Sequence, residues 1–330
     1  MQRSKIILIG AGLLVAGLLG GYMLGSKPQH FFPSSIQTRD VYNNESLGTY
    51  RYTNELLACG DINNLSLGIM DQLKVKLERS LADRIDSGAI ARASIYIRDL
   101  DNGPWIGINE KEEFYPASLL KVPFIFAAYK EEERAPGFLD REVVYNRTQL
   151  VNSYVFPPKE KLELGQSYAT RELLRRSIVY SDNEAAALLG NEISFQNLSN
   201  IFWDFGITRP QPGEDYKMKV RTYASFFRIL YNASYVSRDH SEEALATLTK
   251  SSFKDGIVAG VPKNVAVAHK FGEREGALEQ GGVQLHDCGI VYAPSRPYLI
   301  CVMAQASQVD DILTFIRFVS REAYDTMMSE

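Results

Sequence analysis

Strand-forming runs stand toward both ends of this chain, with a long helical stretch between them. Near the front, ASIYIRDLDNGPWIGI over 93–108 places two β-rich runs around Asp101-Asn102-Gly103, the turn chemistry of a hairpin. Toward the back, Val265 to Phe271, Cys288 to Ala293 and Tyr298 to Ala304 read as strands again. Between them the spacing predicts helices over Ser118 to about Arg134, Thr170 to Ile178, from Glu184 through Leu189, and over Thr222 to Tyr231. A helix also precedes the first strands, with Ile69, Leu73, Leu77, Leu81 and Ile85 on one face and Gly88 as its stop. Another, amphipathic, closes the chain from about Val309 to Met328. Strands so far apart bury their apolar faces by meeting in one sheet. The expected fold is therefore α+β, of three-layer sandwich type: an antiparallel sheet built from both chain ends, flanked by helices, with an all-helical subdomain over about 118–263.

The front of the chain is different. Ile6 to Leu24 carries no charge and is long enough to cross a bilayer as a helix. Arg3 and Lys5 before it favour a cytoplasmic N-terminus, with everything after it outside. Residues 1–25 are read as a transmembrane anchor, with a cleaved signal and secretion as the rival, 26–59 as a linker, and 60–330 as the folded domain. Net charge is −4 with no long basic run, which argues against nucleic acid as a partner. The four histidines are scattered, so no metal site and no cofactor is expected. Cys59, Cys288 and Cys301 form no disulfide framework. The last two fall on neighbouring predicted strands and are expected to be buried free thiols.

Three short patterns carry chemistry. In Ser118-Leu119-Leu120-Lys121 the serine and lysine share a helix face. A hydroxyl becomes a useful nucleophile beside a base, and a lysine with a lowered pKa is one. Any long helix can hold such a pair without using it. Ser181-Asp182-Asn183 offers a second hydroxyl to relay a proton and an amide to hold a substrate; it is equally a good helix N-cap. Lys270-Phe271-Gly272 offers a cation for a carboxylate and a glycine for close backbone approach; a lysine there also suits an exposed sheet edge.

The order S-x-x-K, S-D-N, K-x-G resembles the penicillin-recognising serine enzymes, and class A β-lactamases in particular. "YPASLLKVP", "SIVYSDNEAAALL" and "LHDCGIVYAPSRPYLICVM" extend the resemblance over about residues 60–330. It implies that Ser118 forms an acyl-enzyme, with Lys121 as base and Ser181 as proton donor to the leaving amine. Asn183 and Lys270 would bind the substrate amide and carboxylate, in a site completed by Phe271, Gly272 and Glu273. The backbone N–H groups of Ser118 and Glu273 would form the oxyanion hole.

Two departures bear on mechanism. Phe271 stands where the family's third motif has a hydroxyl. Between the second and third motifs there is no E-x-x-L-N, the source of the deacylating base. In the short stretch 206–220, Glu214 is the one glutamate and a weak replacement; a tight turn explains it and Asp215 as well. Three functions follow: hydrolysis of β-lactams; a penicillin-binding D,D-peptidase acting on peptidoglycan stem peptides, with slow deacylation; or a membrane-tethered sensor without turnover. No G-x-S-x-G marks an α/β-hydrolase. His286 and Asp287 point to opposite faces of a strand, and His269 points away from Lys270, so the histidines are expected to be structural. Phe271 and the aromatic stretch Tyr145 to Phe156 suit either an apolar cleft wall or core packing.

Overall fold

The structure is a computed structural model; it describes residues 50–54, 64–101, 103–146, 154–211, 215–275, 282–294 and 296–329. The run 6–24, Cys59 and Glu214 lie outside these residues. In chain order come helix α1 (Asn64–Asp86), strands β1 (Arg92–Asp99), β2 (Trp105–Ile108) and β3 (Glu113–Phe114), a 3-10 turn (Ala117–Lys121) and helix α2 (Val122–Arg134). Then follow β4 (Glu142–Val144), β5 (Ser167–Ala169), α3 (Thr170–Val179), α4 (Asn183–Glu192) and α5 (Phe195–Asp204). Next are β6 (Met218–Lys219), α6 (Val220–Tyr231), α7 (Arg238–Thr249) and a second 3-10 turn (Ile257–Gly260). The last elements are β7 (Val267–Glu275), β8 (Val283–Val291), β9 (Tyr298–Ala306) and α8 (Val309–Met328).

The five long strands form one antiparallel sheet in the order β2-β1-β9-β8-β7. The two chain ends meet where β1 pairs with β9, Arg92 opposite Gln305 through to Asp99 opposite Tyr298. Every residue of β8 and β9 is buried, because both faces of the sheet are covered. One face packs on α1 and α8: Leu73, Leu77 and Leu81 meet Ile95, Ile97, Ile300, Phe315 and Ile316. Ile85, expected on that stripe, is instead 40% exposed at the helix end. The other face packs on the helical block through residues such as Tyr96, Cys301 and Met303 against Phe126 and Phe227.

Three expectations change. Cys288 and Cys301 stand opposite one another on β8 and β9 and are joined as a disulfide, not left as free thiols. Register decides this, since directly paired strand positions bring their Cβ atoms close. β7 runs on to Glu275, so Lys270-Phe271-Gly272 lies inside an edge strand and not at its end. Ser118 to Lys121 forms a 3-10 turn before the helix proper. With three residues per turn, positions i and i+3 eclipse, which aligns Ser118 and Lys121 more closely than an α-helix does.

Candidate active site

The first motif is held from both sides. Gly272 on β7 lies so near the Ser118 turn that an added Cβ would sit 2.8 Å from Pro116 O and 3.0 Å from Leu119 N. The glycine therefore admits the protein's own turn against the strand, whereas the sequence suggests room for a substrate backbone. Across the sheet, His286 Nε2 donates to Tyr115 O at 2.9 Å and its Nδ1 accepts from Ala304 N at 3.3 Å, so the ring is neutral. Burial pushes its pKa down to about 4. Tyr223, fully buried, donates its hydroxyl to Leu119 O at 3.1 Å. These contacts hold Ala117 with a φ of 49°, a left-handed conformation rare outside glycine and typical of functional turns.

Lys121 Nζ is the hub. It donates to Ser181 O at 2.6 Å and to Asn183 Oδ1 at 2.5 Å, two atoms that only accept. It also lies 2.9 Å from Ser118 Oγ and 3.2 Å from Ser181 Oγ. Burial lowers its pKa to about 7, against the pull of Asp182 and Glu273, which raise it. In its neutral form the amine can spend its two N–H bonds on those two acceptors and turn its lone pair to the Ser118 hydroxyl, which is what a base beside a hydroxyl requires.

The second motif contains the helix N-cap that its sequence suggests. Asp182 is the N-cap of α4, accepting from Glu184 N at 2.9 Å and Ala185 N at 3.2 Å. The cap thus falls on Asp182 and leaves Ser181 and Asn183 to face Lys121. Ser181, with a φ of 56°, is buried and lies 2.8 Å from Lys270 Nζ.

The third motif is more enclosed than expected. Lys270 is 0% exposed, and its Nζ also donates to Phe271 O at 2.7 Å. Burial, then the neighbouring Lys121, drives its pKa well below the ordinary lysine value. The Phe271 ring is core, stacked on Phe253 with centroids 4.4 Å apart and edge-on to Phe156 at 5.9 Å. It is therefore not a cleft wall.

Glu273 does more than its backbone suggests. Its carboxylate accepts from Val155 N at 3.1 Å and from Phe156 N at 3.0 Å. Burial raises its pKa, opposed by those two amides and by Lys270 and Lys121. Tyr154, one residue earlier, accepts from Asn183 N through its hydroxyl at 3.3 Å. Segment 154–156 thus bridges the site from Asn183 to Glu273. Its aromatic character is visible in the sequence; its tie to Glu273 is not, because the two lie far apart in the chain.

His269 and Asp287 form a fully buried pair, Nδ1 to Oδ1 2.7 Å, and Asp287 also accepts from Ile257 N at 2.9 Å. Both lie on the sheet face away from Lys270. Asp215 is exposed and hydrogen-bonded to Tyr115 Oη at 2.7 Å, remote from the Ser118–Lys121 pair in its contacts. Among the described residues no group of three or more His, Cys, Asp or Glu is placed to hold a metal.

On the other side of Ser118 a cavity of about 490 Å³ opens between α2, α4 and α5. Leu120, Phe124, Ala186, Leu198, Phe202 and Pro210 form its walls, with Ser118 and Lys121 at its head.

The sequence profile of the beta-lactamase enzyme family matches residues 76–327. Solved structures share the fold. A PBP-A variant, an acyl-enzyme complex with penicillin G, superposes with a TM-score of 0.67 at 19% identity over 79% of this chain and 98% of its own. A class A beta-lactamase from Mycobacterium abscessus gives 0.65 at 19% over 76% and 98%. A reconstructed class A enzyme of the last common ancestor of Gram-negative bacteria gives 0.65 at 23% over 76% and 98%. With its sequence matched over most of its length and its sheet and helices in the same arrangement, the chain belongs to the beta-lactamase enzyme family.

Proposed function

We propose that this protein is a serine acyl-enzyme hydrolase acting on β-lactams or on related cell-wall peptide amides. The observation that carries the reading is the buried amine of Lys121, its pKa lowered to about 7, which lies 2.9 Å from Ser118 Oγ and is held by the acceptors Ser181 O and Asn183 Oδ1. In this mechanism Lys121 takes the proton as Ser118 Oγ bonds to the substrate carbonyl carbon. The backbone N–H groups of Ser118 and Glu273 receive the oxyanion. Ser181 Oγ then protonates the leaving nitrogen as the C–N bond breaks, and its proton is restored from the Lys121 side. Asn183 orients the amide. Lys270, enclosed against Ser181, acts on a substrate carboxylate by its field and through the Ser181 hydroxyl.

A second reading is favoured by one observation: among the described residues, which do not include Glu214, the lining of the cavity beside Ser118 is mostly apolar and carries no carboxylate. Release of the acyl group needs a base and a held water. Without them the acyl-enzyme persists, as in a penicillin-binding D,D-peptidase. The third, a tethered sensor, differs only in having no turnover at all. The uncharged run 6–24 and the Cys288–Cys301 disulfide support a site outside the cytoplasm on a membrane anchor, since structural disulfides persist in oxidising compartments.

The experiment is intact mass during incubation with a fluorescent penicillin, with Ser118→Ala alongside. An adduct on Ser118 that decays in seconds to minutes identifies a β-lactamase. One lasting hours identifies the slow-deacylating reading. No adduct removes penicillin recognition.

A further inference from the structure

We infer that the cavity between α2, α4 and α5 is the acyl subsite, and that it takes an acyl donor with an unbranched aliphatic or aromatic acyl group. The inference rests on Ser118 as acyl acceptor and adds which half of the substrate lies where. Its first support is continuity. Ser118 and Lys121 both line the cavity, so a group attached to Ser118 Oγ stands beside it.

The second support is the opposite side of the site. There segment 154–156 is tied to Asn183 by Tyr154 Oη and to β7 by the Glu273 carboxylate, with Phe156 against Phe253 and Phe271. On that side a bulky acyl substituent would meet this strap and the Glu273 carboxyl group. On the cavity side it would meet a lining made mostly of carbon.

The third support is composition and size. Among the described residues Lys121 is the single charged one of the lining, and it stands at the serine end. The volume, about 490 Å³, falls within the range of small-molecule sites, roughly 300–1,000 Å³. Phe202 belongs also to a second cavity of about 870 Å³ that continues past Ile207 to Trp203, which is 84% exposed. The first cavity is walled mostly by carbon, with Asn183 and Asn191 on its α4 side, whereas the second is edged by Gln196, Ser199, Asn200, Thr208 and Arg209, so an apolar acyl group matches the part nearest Ser118.

Gly190 of α4 allows a direct test. A Cβ there meets only ring atoms of Phe124, at 3.6 and 3.9 Å, ordinary contact distances, so a longer side chain extends into the cavity. The probes are p-nitrophenyl acetate, butyrate and octanoate, read as the rate of Ser118 acylation by intact mass, with the penicillin adduct measured on the same preparation. Burial of each methylene is worth up to about three- to four-fold in binding. We expect acylation to rise at least about ten-fold from acetate to octanoate, and Gly190→Leu to flatten that rise to within about three-fold. Should Gly190→Leu fail to fold, Ala187→Leu, from the same wall, replaces it. Equal rates for acetate and octanoate would overturn the subsite while leaving Ser118 acylation standing. So would a chain-length preference that survives the filled cavity. Failure of Ser118 to react with every ester and with penicillin would instead remove the serine reading beneath it.

Discussion

Lys121 and Lys270 converge on one oxygen: their Nζ atoms lie 3.2 and 2.8 Å from Ser181 Oγ. Two ammonium groups cannot both stay charged at low cost in so dry a place, and both have lowered pKa values. Lys121 is the one with a nucleophile within reach. In the proposed mechanism the pair divides the work, Lys121 as base and Lys270 as the fixed partner of the Ser181 hydroxyl.

Acylation should rise with pH through about 7. The base is active when neutral, and Lys121 loses its proton near that value. Stopped-flow acylation by a chromogenic cephalosporin would show a limb of unit slope below pH 7 and a plateau above it. Lys121→Met should cost about 10²–10⁴-fold, the usual worth of a general base. A flat profile between pH 5 and 9 would falsify the assignment.

Ser181→Ala removes the shared acceptor. Acylation should slow by at least about ten-fold, and unfolding free energy should fall by about 1–3 kcal/mol because Lys270 loses a partner inside the protein. Urea denaturation and acylation rate report the two effects separately. Full acylation in this variant would exclude Ser181 from the proton path.

Gly272→Ala forces a Cβ to within 2.8 Å of Pro116 O. Overpacking of this kind costs about 1–3 kcal/mol, and here the displaced group is the nucleophile's own turn. Lower stability together with slower acylation is expected. An unchanged acylation rate would mean that the contact between β7 and the turn does not set the site.

His286 makes stability depend on pH. Its folded pKa, about 4, lies below the ordinary 6.5. Above 6.5 both folded and unfolded states are neutral. As pH falls from about 6.5 to about 4, the unfolded chain gains a proton that the folded one refuses, so stability drops by roughly 3 kcal/mol. Denaturation midpoints across that interval test it, as does the ring C2–H resonance. A resonance titrating near 6.5 would count against the buried neutral ring.

Replacing Cys288 and Cys301 together by alanine should cost about 2–3 kcal/mol, the worth of closing a loop of this size. Both thiols should resist alkylation in denaturant until reductant is added. Prompt labelling without reductant would show that the bond is absent.

How far the sequence carries can be read from particular residues. Ser118 with Lys121, Ser181 with Asn183, and Lys270 are local patterns, and the structure brings all five to one point. The closing helix, Val309–Met328, has the predicted bounds because a single apolar stripe defines it. What stayed hidden depends on register between distant strands. The Cys288–Cys301 bond needs β8 and β9 aligned. The His269–Asp287 pair needs β7 and β8 offset by one alternation, which comparing His286 with its neighbour Asp287 does not reveal. Gly272 was legible as a glycine that something must approach, but what approaches is set by the tertiary fold.

The order of the sheet also sets when the site comes into being. β7 connects to β1 only through β8 and β9. A growing chain presents Ser118 and its helix long before Tyr298, the first residue of β9, is made. Until that strand is made, β7 and β8 are not joined to β1, and the five-stranded sheet that backs the motifs is incomplete. A product ending before β9 therefore carries every motif residue but lacks the strand that unites the two ends of the sheet.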